Sequence, residues 1–125
     1  MFAFKEIEKS RVISRRSVAN VLNERKILAS LEHPFLVNMQ YAFQDRDNLY
    51  LLMDYLGGGD LRFHLCEKKN FDEATTKFFV ACIVQGLEYI HSNSVIHRDI
   101  KPENLVLSSD GYLQITDFGI SRVFH

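Results

Sequence analysis

The groups able to move protons and hold cations crowd into one short stretch, residues 97–119. His97-Arg98-Asp99 leads it, Lys101 and Asn104 follow, and Asp117-Phe118-Gly119 closes it. Between them lie two apolar runs, Leu105-Val106-Leu107 and Tyr112 to Thr116, split by Ser108-Ser109-Asp110-Gly111. Asp-Gly between two such runs is a strong hairpin signal. A loop of only Asp110 and Gly111 sets Asn104 opposite Asp117, whereas a loop over residues 108–111 sets Asn104 opposite Ile115. In the first register a neutral amide oxygen and a carboxylate converge at the open end of the hairpin. Hard oxygen ligands in that small number suit Mg²⁺ held jointly with a substrate's phosphates. Taken singly, Asn104 reads rather as a loop amide bonding its own backbone, and Asp117 as a turn residue before glycine.

The elements that must carry these groups can be placed by periodicity and caps. The chain opens within a strand, Met1-Phe2-Ala3-Phe4, which needs a neighbour to pair with. From Ser17 to Leu31 the period turns helical, with Val21, Leu28 and Leu31 on one stripe. Glu24 is the fourth member of that stripe. A carboxylate there is either solvated at the stripe's edge or paired from another element, because no cation on its own helix lies three or four residues away. Strand-like runs follow at Leu36–Phe43 and Leu49–Met53, joined by a polar turn. Gly57-Gly58-Gly59 lacks the spacing of a phosphate-binding loop and reads as a hinge. Asp60 is a good N-cap for a short helix to about Cys66, and Asp72 for the longest one, to about Ser92. The apolar face of the latter uses Phe79, Cys82, Ile83, Gly86 and Ile90, and its glycine predicts close packing by another element. Strands, then helices, then short strands give an α+β class.

His-Arg-Asp with Lys two and Asn five residues after the Asp, then Asp-Phe-Gly, resembles the catalytic loop and metal-binding motif of the protein kinase family. Ala3-Phe4-Lys5 resembles the family's third-strand lysine motif, and Glu24 stands where its αC-helix glutamate stands. The resemblance thus names Lys5 as the cation the helical stripe lacks. Phe35-Leu36-Val37, Phe43-Gln44-Asp45 and Gly58-Gly59-Asp60-Leu61-Arg62-Phe63-His64-Leu65 resemble the AGC group, closest to its YANK branch, and His97 at the head of the loop fits that branch.

The resemblance implies a set of roles. Lys5, paired to Glu24, holds the α- and β-phosphates of ATP; Asp99 orients the substrate hydroxyl and accepts its proton; Lys101 steadies the transferring phosphate; Asn104 and Asp117 hold Mg²⁺. Met53 is the gatekeeper, Asp54 and Leu56 read adenine through their backbone, Asp60 contacts the ribose, and Ala3 and Val106 sandwich the base. Leu28, Met39, His97 and Phe118 stack as one internal column. Lys101 implies a Ser/Thr acceptor on a protein substrate. The implied fold is two-lobed and incomplete: residues 1–54 from the small lobe starting at its third strand, 55–60 the hinge, 61–125 the helical lobe into the activation segment. No glycine-rich loop stands before Lys5 and no Ala-Pro-Glu follows, so these residues are expected to be poorly active by themselves. The alternative is a catalytically dead nucleotide-binding or decoy interaction module.

Composition limits the rest. With 15 basic and 16 acidic residues, the chain has no basic excess to drive nucleic-acid binding. An apolar content of 46% rules out a disordered chain. Cys66 and Cys82 make no Cys-x-x-Cys pair and read as reduced thiols, Cys82 buried beside Phe79 and Ile83. The longest apolar run, Phe78 to Val84, is too short to insert into a membrane. The expected location is cytoplasmic, with the nucleus also open.

Overall fold

The computed structural model describes residues 1–124. In chain order the elements are β1 (Phe2–Glu8), α1 (Lys9–Ser14), α2 (Val18–Ser30), β2 (Met39–Gln44), β3 (Asn48–Asp54), α3 (Leu61–Lys68), α4 (Glu73–Ser92), β4 (Val95–Ile96), a 3₁₀ turn (Pro102–Asn104), β5 (Leu105–Leu107), β6 (Leu113–Ile115) and β7 (Arg122–Val123). β1, β3 and β2 form an antiparallel sheet in that spatial order, and β4 pairs with β7 and β5 with β6 as two small ribbons. This is an α+β arrangement, as the order of strands and helices predicts. Among the described residues no helix is long and apolar enough to cross a membrane.

The helices with clear caps fall where local chemistry puts them. Asp60 and Asp72 each accept the backbone N–H three residues on, from Phe63 at 2.8 Å and Thr75 at 2.7 Å, and so satisfy otherwise orphaned donors. The Thr75 bonds hold the Asp72 carboxyl below its usual range. α4 buries Phe79, Cys82, Gly86 and Ile90. Gly86 is required by contact: a Cβ there would sit 2.9 Å from Ile115 Cδ1 and 3.3 Å from the Phe35 carbonyl oxygen. The hairpin therefore lies directly on α4.

Three expectations need correction. The apolar run beginning at Leu36 does not enter the sheet until Met39. Leu36 and Val37 instead cross to the hairpin, where Val37 N–H donates to Ile115 O at 3.0 Å and Ile115 N–H to Phe35 O at 2.9 Å. Both residues are buried there, so the run reports burial rather than sheet membership. Second, α1 has no counterpart in the sequence reading; at six residues it is too short to show a helical period.

The third correction concerns the hairpin register. Leu105 pairs with Ile115, Val106 with Gln114 and Leu107 with Leu113. Neither proposed loop gives this pairing. Ser108 N–H donates to Tyr112 O and Gly111 N–H to Ser108 O, with Gly111 at φ +84°. That is a tight turn followed by one left-handed residue. A two-residue type I′ loop needs positive φ at both central positions, and Asp110 does not adopt it. Asn104 consequently faces Thr116, whose N–H donates to the Asn104 carbonyl at 2.9 Å, and Asp117 lies one residue beyond.

The core runs under this hairpin. Ile27, Leu28, Leu36, Ile90, Val95, Leu113, Ile115 and Phe118 are each at most 3% exposed and belong to one cluster. Met39 packs against it, and His97, also buried, meets Phe118 edge-on with ring centroids 5.0 Å apart. The four side chains of the expected column thus all lie in or against this core.

Candidate active site

Lys5 leaves the middle of β1, opposite Leu51 of β3. Its Nζ lies 3.4 Å from both carboxylate oxygens of Glu24. The Glu24 side chain is only 10% exposed against 44% for Lys5. A carboxylate buried to that degree needs a cation or several donors, and Lys5 supplies one from another element. The solvated-edge alternative for Glu24 is removed by its burial.

The catalytic-loop residues are held by backbone geometry. His97 Nε2 contacts the Thr116 carbonyl at 2.8 Å, and its Nδ1 accepts the Asp99 N–H at 3.1 Å. A carbonyl only accepts and a backbone amide only donates, so the ring is the Nε2–H tautomer. Arg98 and Asp117 both adopt left-handed backbone conformations, φ +71° and +60°. Non-glycine residues held there store strain of the kind found at functional sites. Arg98 Nε also donates to Ile120 O at 2.6 Å, tying the loop to the segment after Gly119.

Asn104 Nδ2 donates to both the Asp99 carbonyl, at 2.9 Å, and Asp99 Oδ2, at 3.1 Å. Lys101 Nζ approaches the same Oδ2 at 3.1 Å. Two donors therefore share one oxygen, and Oδ1 is left as the acceptor for an incoming group. The Lys101 hydrogen bond is the main reason the Asp99 carboxyl lies below its usual range, and the Asn104 bond adds to it. Asn104 is buried; with its Nδ2 committed to Asp99, its Oδ1 is the atom that could face a cation. Asp117 is exposed, with Oδ1 accepting Gly119 N–H at 3.2 Å.

These residues suit a particular kind of metal. Among the described residues no group of three or more His, Cys, Asp or Glu could hold a metal ion unaided. The donors here are instead one amide oxygen and one carboxylate. That set fits Mg²⁺, which keeps water or phosphate oxygens on most of its positions.

The adenine-reading candidates lie on β1, β3, β5 and the segment between β3 and α3. Ala3 pairs with Met53 across β1 and β3, and Asp60 bridges to Val106. Leu56 and the glycines continue from β3; Gly58 N–H donates to Leu107 O and Leu107 N–H to Gly59 O, both at 2.9 Å. Two of these candidates already hold structural bonds. Asp60 Oδ1 caps α3, and the Asp54 carboxylate accepts from Asn38 N (3.2 Å), Asn38 Nδ2 (3.0 Å) and Gln40 Nε2 (3.0 Å). Asn38 was not a candidate from sequence; it stands at the end of an apolar run, and nothing local marks it. A cavity of about 680 Å³ opens beyond the Lys5–Glu24 pair, walled also by Arg11, Arg15 and Ser17, and does not reach Asp99 or Asn104. The cluster around Asp99 is therefore separate from that space.

The family model described as protein kinase domain matches residues 1–125. Over 123 residues the chain is 45% identical to serine/threonine-protein kinase 32B of Homo sapiens, covering 98% of this chain and 30% of that protein. It is 46% identical over 121 residues to RAC-beta serine/threonine-protein kinase of Rattus norvegicus (97% and 25%), and 43% over 122 residues to protein kinase 2 of Dictyostelium discoideum (98% and 26%). The chain thus spans about a quarter of the length of these relatives. On the match along its whole length, the chain belongs to the protein kinase domain family.

Proposed function

We propose that this chain carries the transfer centre of a protein serine/threonine kinase, moving the γ-phosphoryl group of ATP to a Ser or Thr hydroxyl of a protein substrate. The observation that carries the reading is the convergence of Lys101 Nζ and Asn104 Nδ2 on Asp99 Oδ2. It leaves Oδ1 to accept a hydrogen bond from the substrate hydroxyl and to orient its lone pair toward the phosphorus. A carboxyl held below its usual range is a weak base, which suits a loose transition state where the proton leaves late. Lys5, steadied by Glu24, places positive charge against the α- and β-phosphates. Lys101 lies beside the path of the transferring group and offsets its charge. Asn104 and Asp117 would hold Mg²⁺, which when bound neutralises charge on the phosphates. Residues 1–54, 55–60 and 61–125 act as small-lobe portion, hinge and helical-lobe portion of the domain. The Ser/Thr acceptor is supported by Lys101 and by the names of the relatives.

The test has two arms. The 125-residue chain, titrated with a fluorescent ATP analogue, should bind it only when Mg²⁺ is present, and Lys5→Met should abolish binding. Seated in place of the matching residues of a relative's complete domain, the chain should support transfer of labelled phosphate to protein serine or threonine. Asp99→Asn in that chimera should lose it. No Mg²⁺-dependent binding, or full transfer with Asn at position 99, overturns the reading.

A further inference from the structure

Ser121 is fully buried, and each of its polar groups has a partner from a different part of the fold. Its N–H donates to Phe118 O at 3.1 Å, its Oγ to His97 O at 3.1 Å, and its carbonyl accepts from Asn23 Nδ2 at 2.6 Å. Asn23 lies on α2 immediately before Glu24. Adjacent helical residues point about 100° apart, so one rigid helix presents Glu24 to Lys5 and Asn23 to the segment that follows Gly119. A rotation of α2 sufficient to break one contact breaks the other.

We infer that Asn23 is a positioning residue, which locks the Lys5–Glu24 pair to the Asp117–Gly119 turn by holding the buried Ser121 carbonyl. Ser121 passes the restraint to His97, whose ring in turn holds Thr116 O and Asp99 N–H. The nucleotide-facing and hydroxyl-facing halves of the site are thereby set together. The arrangement follows from the contacts alone; its consequence for phosphate transfer rests on the function proposed above.

Hydrogen exchange without nucleotide separates the two. In the 125-residue chain, Asn23→Asp keeps the side-chain shape but removes the donor. Amides of residues 117–122 should then exchange roughly threefold to tenfold faster, the loss of one hydrogen bond, while α4 is unchanged. Asn23→Gln, which retains an amide donor, should recover part of the protection. Glu24→Gln should loosen the same segment, and the double variant Asn23→Asp/Glu24→Gln should do no more than the larger single one. Additive effects, unchanged exchange at 117–122 in Asn23→Asp, equal behaviour of the Asp and Gln variants, or an unmodified chain with no protection at 117–122 would each overturn the inference. If Asn23→Asp also releases α4, the decision rests on the Gln variant, whose full loss of protection at 117–122 with α4 intact counts against it. Adding Mg·ATP to the unmodified chain is a separate arm: failure to protect β1 and residues 117–119 counts against the kinase reading and leaves the exchange result standing.

Discussion

The two halves of the site are anchored in opposite ways. Asp99 and Asn104 rest on a hairpin whose Leu105, Leu113 and Ile115 are at most 5% exposed, stacked on α4 and braced by buried His97 and Phe118. Lys5 rests on a sheet that presents Phe4, Tyr41 and Phe43 more than half exposed. On that outer face Phe4, Phe43 and Tyr50 stack only on one another, with centroids 5.0–6.1 Å apart. Backbone hydrogen bonds fix the first half. In the second half β1 is paired to β3, and α2 is seated in the core by Ile27 and Leu28. The link between Lys5 and α2, however, rests on one ion pair at 3.4 Å, and the Asn23 contact ties α2 to Ser121. On the proposed function, the groups that would meet the substrate hydroxyl are therefore set by packing, while those that would meet the nucleotide depend on where α2 lies. Small changes in α2 position should regulate nucleotide handling before they disturb Asp99.

The largest effect that tests this contrast is truncation under the hairpin. Ile115→Ala removes a side chain that touches both the core and Gly86, and should cost about 2–5 kcal/mol in urea unfolding. A cost no greater than that of a sheet-surface truncation would break the comparison.

Next comes the ion pair, where the two partners should differ. Lys5→Ala leaves Glu24 buried without its cation, whereas Glu24→Gln leaves a half-exposed lysine that water can solvate. We expect Lys5→Ala to destabilise by about 1 kcal/mol more than Glu24→Gln. Equal losses by thermal unfolding would mean that Glu24 is not held by Lys5. Smaller again is Phe43→Ala, which removes an exposed aromatic stack and should cost about 0.5–1 kcal/mol.

What the sequence made legible follows the same division. Local signals located α3 and α4 through Asp60 and Asp72, and the five polar residues of the catalytic motif through their spacing. Glu24 stood out because a carboxylate interrupted an apolar stripe, although only resemblance could name Lys5 as its partner from a distant strand. Both hairpin registers read from residues 108–111 missed, because the turn leaves Gly111 as a single left-handed residue after it, a geometry that only backbone conformation reveals. Leu36 and Val37 misread as strand because burial against a distant hairpin leaves the same apolar signature. Asn23 was invisible for a different reason: its partner is a backbone carbonyl 98 residues away, and a carbonyl has no sequence.

The subtlest test bears on the packed half alone. Asp99 sits below its usual pKa mainly because Lys101 donates to it, with Asn104 assisting and partial burial opposing. A depressed carboxyl stays ionised, and able to accept a proton, to lower pH than an ordinary aspartate. Its stabilising contacts are present above the unfolded-state pKa and are lost as pH falls through the folded one. In the chimera, the acidic limb of kcat/KM should therefore lie at lower pH with Lys101 present than in Lys101→Ala. The variant should move that limb upward but stop short of the full return, because Asn104 still donates to Oδ2. Lys5→Arg should lower nucleotide affinity with no movement of the limb, since Lys5 touches Glu24 and not Asp99. A limb that shifts with Lys5 and not with Lys101 would show that Asp99 takes its protonation from the nucleotide side, and the separation of the two halves would fail.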